Sequence, residues 1–135
     1  MVNTYNIFIS HSWGYDGAYE SVAGFFDEHP YFYWRDYSVP KDDPIHRARN
    51  DAELEQALSN RIARASCVVV LGGVYSSYSK WIAREIKLAK AWDKPIIGVR
   101  PWGADHMSAL VQDNADIVVG WNSNSIVNAV RNYSV

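Results

Sequence analysis

A doubly wound α/β domain built on five parallel strands is the fold class this sequence predicts, and three observations predict it. Short apolar runs alternate with stretches of helical periodicity five times along the chain. The run Cys67-Val68-Val69-Val70-Leu71 is apolar at every position, as expected of a strand covered by helices on both faces. Glycine, proline and polar residues collect between the periodic segments, where strands hand over to helices. Right-handed crossovers leave few topologies, and the flavodoxin-like order 2-1-3-4-5 is the expected one.

The elements follow in order. Tyr5-Asn6-Ile7-Phe8-Ile9-Ser10 reads as a buried strand that ends in the polar turn His11-Ser12-Trp13-Gly14. Between Asp16 and His29, Tyr19, Val22, Ala23 and Phe26 recur at helical spacing until Pro30 closes the segment. Tyr31 to Tyr37 is aromatic and β-prone, and the stretch from Asp36 to Pro44, with two prolines, is a loop long enough to carry a binding role. Asn50 with Glu53 three residues later marks a helix start, with Leu54, Ala57, Leu58 and Ile62 facing inward and an end near Ala65. Cys67 to Leu71 is the central strand, and Gly72-Gly73 turns the chain into a helix that stops before Asp93-Lys94-Pro95. Pro95 to Val99 is the fourth strand and Asp105 to Asn114 a short helix. Asp116 to Gly120 is the fifth strand, and Ser123 to Tyr133 the last helix, with Ile126, Val127 and Val130 inward.

Composition narrows the function. With 135 residues, 48% of them hydrophobic, the chain suits one domain over residues 1–135 with a real core. A net charge of −2 provides no basic footprint for nucleic acid and no polybasic membrane anchor. No apolar run approaches the ~20 residues that span a bilayer, and the start lacks a secretory pattern, so a cytoplasmic protein is expected. The single cysteine, Cys67, lies in an apolar run and reads as an inert buried thiol. His, Cys and carboxylate spacing matches no metal site, and Gly72-Gly73 lacks the spacing of a phosphate-binding fingerprint.

The chemically informative stretch is Tyr78 to Ile86. Written on a helix, Trp81, Glu85, Leu88, Ala89 and Trp92 share one side, with Lys80, Arg84 and Lys87 on the wet side. A glutamate in a buried stripe costs free energy unless it is paired, hydrogen-bonded or open to a cleft. In sheets of this order, ligands bind beyond the carboxyl ends of the strands, at the switch between the first and third. Ser10 to Tyr15, Asp36 to Pro44 and Gly72 to Ser77 converge there, and Glu85 follows the last of them. The plain alternative is a structural glutamate paired with Lys80, Arg84 or Lys87.

These residues carry a family resemblance. Ser79-Lys80-Trp81-Ile82-Ala83-Arg84-Glu85-Ile86 is similar to the Ser-x-Trp-x-x-x-Glu-Leu motif of NAD-cleaving TIR domains, with isoleucine at the last position. Tyr5 to Ser12 resembles the first strand and turn of that family, and Trp34-Arg35-Asp36-Tyr37 with its proline-containing loop resembles the second strand and BB loop. More narrowly, the chain resembles the TIR-like proteins of bacterial anti-phage Thoeris systems, of the ThsB type. His11 to Asp16 departs from the charged residues that many TIR domains carry after the first strand.

The resemblance implies a TIR-like enzyme that cleaves NAD, releases nicotinamide and makes a cyclic ADP-ribose-type signal acting on a separate effector. It makes Glu85 the catalytic residue and Ser10, Ser12, Trp13, Asp36, Tyr75 and Trp81 the substrate-binding set, with NAD as substrate, no cofactor and no metal. Ser10, Ser12 and Asp36 each have a simpler reading as turn-capping groups, and Trp81 as a core side chain. A non-catalytic TIR-like interaction module is the alternative, and self-association is compatible with both. A receiver domain fits less well, because Val69-Val70-Leu71-Gly72 stands where its acidic phospho-acceptor belongs.

Overall fold

A computed structural model describes residues 3–10, 18–38, 50–71, 80–100 and 108–135, without the side chains of Ala18, Asp51, Lys80 and Trp81. Strands and helices alternate: β1 (Thr4–Ser10), α1 (Ala18–Glu28), β2 (Tyr33–Asp36), α2 (Asp51–Ala63), β3 (Cys67–Leu71), α3 (Lys80–Ala91), β4 (Ile96–Val99), α4 (Ala109–Asn114), β5 (Ile117–Val119) and α5 (Ser123–Tyr133). The strands form one parallel sheet of order β2-β1-β3-β4-β5, the order the sequence predicts.

Strand parity builds two cores. Ile7 and Ile9 of β1, Cys67, Val69 and Leu71 of β3 and Ile97 and Val99 of β4 point to one face. There they meet Val22 and Phe26 of α1 and Ile126, Val127 and Val130 of α5. Phe8, Val68, Val70 and Ile96 point to the other face, against Leu58 and Ile62 of α2, Ile82, Ile86 and Ala89 of α3 and Val111 of α4. Side chains alternate along a strand, so Ser10 shares its face with Phe8. That face is roofed by α2 and α3.

Local chemistry explains the boundaries. Asn50 caps α2, its side chain accepting from Glu53 N at 2.9 Å, and Asn122 caps α5 by accepting from Ser125 N at 2.8 Å. The second strand is shorter than Tyr31 to Tyr37. Phe32 N donates to His29 O as the chain leaves α1, and Tyr31 adopts φ 59, a left-handed conformation outside the strand. The expected outer portions of the first, third and fourth helices, residues 16–17, 78–79 and 105–107, lie outside the described residues.

One side-chain assignment needs correction. Trp92 does not join the buried side of α3: it is 48% exposed, lies beyond the helix end, and its Nε1 donates to Ser59 Oγ at 2.9 Å. The buried stripe is Ile82, Glu85, Ile86 and Ala89, spaced i, i+3, i+4 and i+7, with Leu88 beside it. The i+11 position of the expected stripe fell past the last turn, where the helix no longer sets its direction. No helix among the described residues is long and apolar enough to cross a membrane.

Cys67 is buried and unbridged, and burial pushes its thiol up to about 12. The folded protein therefore holds that proton more tightly than the unfolded chain does. The resulting stabilisation is present below the ordinary thiol range and lost as pH rises through it toward about 12. Thiol reagents should leave the native protein unmodified. In urea titrations from about pH 8 to about pH 10.5, the stability gap between wild type and Cys67→Ala should narrow; a constant gap would contradict the burial effect.

Candidate active site

The site grows out of the parity of β1. Ser10 is the last residue of that strand, paired in register with Val70 of β3, and is fully buried. Its hydroxyl points to the α3 face, where Glu85 lies one turn below Ile82 and beside Ile86. Ser10 Oγ donates to Glu85 Oε1 at 2.6 Å in a buried bond. Glu85 is 1% exposed. The sequence separation of 75 residues closes at the carboxyl ends of the two central strands, the switch point between β1 and β3.

The other expected residues fall into two groups. Asp36 ends β2 and is exposed; its Oδ1 accepts from Ser38 N at 2.9 Å and its Oδ2 from the Tyr19 hydroxyl. The first of these bonds closes an Asx turn at the exit of the strand. Burial, then the hydrogen bond and charge of Asp36, hold the Tyr19 phenol above its ordinary value, so Tyr19 stays a neutral donor. Ser12, Trp13 and Tyr75 lie outside the described residues, as does the side chain of Trp81. So do His11, His46, Gly72-Gly73 and the loop from Val39 to Pro44.

Two residues that sequence reasoning passed over stand close to this centre. Ser38, 4% exposed, accepts from Ile9 N through its Oγ at 2.8 Å. Arg61 of α2 directs Nη1 to the carbonyls of Tyr37 at 3.4 Å and Ser38 at 3.2 Å. Asp36-x-Ser38 is an Asx-turn spacing and was the available signal for Ser38. Nothing local marked Arg61, whose partners are more than twenty residues away in sequence.

Among the described residues no cluster of three or more His, Cys, Asp or Glu side chains could hold a metal ion. What the arrangement offers is a buried, oriented carboxyl group at the rim where such sheets bind ligands. It suits stabilisation of a developing cation next to a group with hydroxyls to bind.

A five-stranded parallel sheet of this order is a flavodoxin-like doubly wound domain, here with an acid of the third helix hydrogen-bonded to the end of the first strand. The family model described as Thoeris protein ThsB, TIR-like domain, matches residues 8–106, and the chain belongs to that family. No curated protein matches it in sequence. Among solved structures it is similar to a CMP N-glycosidase, BcmB, of Clostridium botulinum, with a TM-score of 0.55, 14% identity, and 95% of this chain and 99% of that one covered. A 3-dehydroquinate dehydratase-like protein from Bifidobacterium longum aligns with a TM-score of 0.47 and 13% identity, covering 98% of this chain and 95% of that one. At these identities the likeness to BcmB is one of fold.

Replacing Ser10 by alanine removes the hydroxyl donor from a carboxylate that water does not reach. A loss of about 1.5–3 kcal/mol is expected in urea unfolding at neutral pH, the range for hydrogen bonds to charged groups. An unchanged midpoint would show that Ser10 does not support Glu85.

Proposed function

We propose that the chain is an NAD-cleaving enzyme of Thoeris defence, which releases nicotinamide in the cytoplasm and converts the remainder into a cyclic ADP-ribose-type signal for a separate effector protein. The observation that carries this reading is the buried Glu85 carboxylate, fixed by Ser10 at the carboxyl rim of the sheet.

The bond to be broken explains why one acid suffices. Nicotinamide in NAD is joined to ribose through a positively charged ring nitrogen, so it leaves as a neutral molecule and needs no proton. The ribosyl carbon left behind develops oxocarbenium character, and a fixed carboxylate beside it lowers the barrier by electrostatic stabilisation. Glu85 supplies that charge. In this reading the Glu85 carboxylate also accepts from a ribose hydroxyl, and Ser10 keeps the group in one orientation.

The fate of the ribosyl cation depends on water. A dry site favours capture by a nucleophile of the same ADP-ribose over capture by water, which yields a cyclic product. In this reading Trp13, Tyr75 and Trp81 stack against the substrate, Ser12 hydrogen-bonds to it and Asp36 binds a ribose hydroxyl. The Clostridium botulinum neighbour is a CMP N-glycosidase, and an N-glycosidic bond to ribose is the same bond class as the one cleaved here. That likeness is one of fold, and the reaction class proposed here rests on Glu85 and Ser10.

Incubation of wild type with NAD, under activation by phage challenge where required, should release nicotinamide and form a cyclic product detectable by mass spectrometry. Glu85→Gln keeps the shape and removes the charge, and should lower turnover by about 10²-fold or more. If both proteins are inert under activation, NAD cleavage is wrong. If Glu85→Gln still protects cells, the protein acts as a binding module.

A further inference from the structure

β1 is held near each end by a serine hydroxyl supplied from outside the neighbouring strands. At its foot, Ser66 Oγ accepts from Asn6 N at 3.1 Å. Near its carboxyl end, Ser38 Oγ accepts from Ile9 N at 2.8 Å in a buried bond. The second contact answers a defect in the sheet. β2 stops at Asp36, opposite Ile7, and the backbone bond from Tyr37 N to Ile7 O at 2.8 Å continues the pairing one step further. Ile9 is 1% exposed, and a buried backbone N–H without an acceptor would be costly. The Ser38 side chain fills the place of the missing strand.

The backbone of Ser38 is itself held at both its N–H and its carbonyl. Its N–H donates to Asp36 Oδ1 at 2.9 Å, Asp36 Oδ2 accepts from the Tyr19 hydroxyl, and the Ser38 carbonyl accepts from Arg61 Nη1 at 3.2 Å. Elements on both faces of the sheet, α1 through Asp36 and α2 directly, thus converge on the backbone of Ser38. The residue it grips, Ile9, immediately precedes Ser10, whose hydroxyl sits 2.6 Å from Glu85.

We propose that Ser38 is a positioning residue of the Glu85 site: by accepting from Ile9 N it fixes the end of β1 so that the Ser10 hydroxyl aims at the Glu85 carboxylate. Its kinetic consequence rests on the NAD-cleaving reading, whereas its geometric consequence does not. Ser66 provides the matched control, since it performs the same bonding role for the same strand at the end remote from Glu85.

The test compares wild type, Ser38→Ala, Ser38→Thr and Ser66→Ala in the full chain. Two quantities are followed: kcat and KM for NAD per folded molecule, and the hydroxyl proton of Ser10 by NMR. Both alanine variants should lose stability. Only Ser38→Ala should lower kcat, by roughly tenfold to a hundredfold with KM unchanged, and threonine should restore it. The Ser10 hydroxyl proton should exchange faster in Ser38→Ala and stay protected in Ser66→Ala. Should Ser38→Ala fail to fold, Ser38→Cys, whose sulfur is a weak acceptor, takes its place in the same comparison. Equal kcat in the Ser38 and Ser66 variants, or an unaltered Ser10 hydroxyl signal in the Ser38 variant, overturns the proposal. If wild type does not cleave NAD, the NAD-cleaving reading fails and the hydroxyl signal alone decides the role of Ser38.

Discussion

A carboxylate removed from water must be compensated, and in this protein the Ser10 hydroxyl is part of that compensation. The pairing constrains more than two side chains. Ser10 reaches Glu85 only if β1 runs beside β3 in the observed register, with Ser10 opposite Val70. It also requires α3 to lie on the face that Phe8 and Ser10 share. The central sheet and one flanking layer are therefore committed to the geometry of a single hydrogen bond.

The layers divide the labour. The face covered by α1 and α5 is apolar in its buried part and carries the aromatic packing of Phe26 with Phe32 and Trp34. The face under α2 and α3 holds Phe8, Leu58 and Ile62 along with the one buried acid among the described residues. Hydrophobic burial on both faces supplies the driving force for folding, and it absorbs the cost of keeping Glu85 dry. The match to the Thoeris ThsB TIR-like family, over residues 8–106, includes both Ser10 and this buried acid.

Much of this was legible in the residues. The apolar run from Cys67 to Leu71 and the polar-flanked periodic segment from Ser123 to Tyr133 occupy the bounds that their patterns predict. Asn50 announced its helix through a cap that the structure contains. Glu85 stood out because a carboxylate interrupted an inward stripe, although Ile82 and Ile86, not Trp92, complete that stripe. Trp92 misled because helical periodicity was extended past the turn where Asp93 adopts φ 55 and the helix has ended. Ser38 was hidden for a different reason. A lone serine after a strand has a dozen ordinary uses, and its importance arises only when β2 ends too early to satisfy Ile9, a fact of pairing length that no local pattern records.

The two serine clasps on β1 have one more implication, which concerns errors in assembly. Moving a strand along its neighbours by a single position exchanges its two faces. Such a slip would bring Ile9 under α3, send Ser10 into the aromatic layer, and strand the acid among hydrocarbon. Asn6 and Ile9 would then meet neither hydroxyl. Mispaired molecules would thus forfeit several bonds at once, and the Ser10–Glu85 contact becomes a proofreading mark of a correctly threaded sheet.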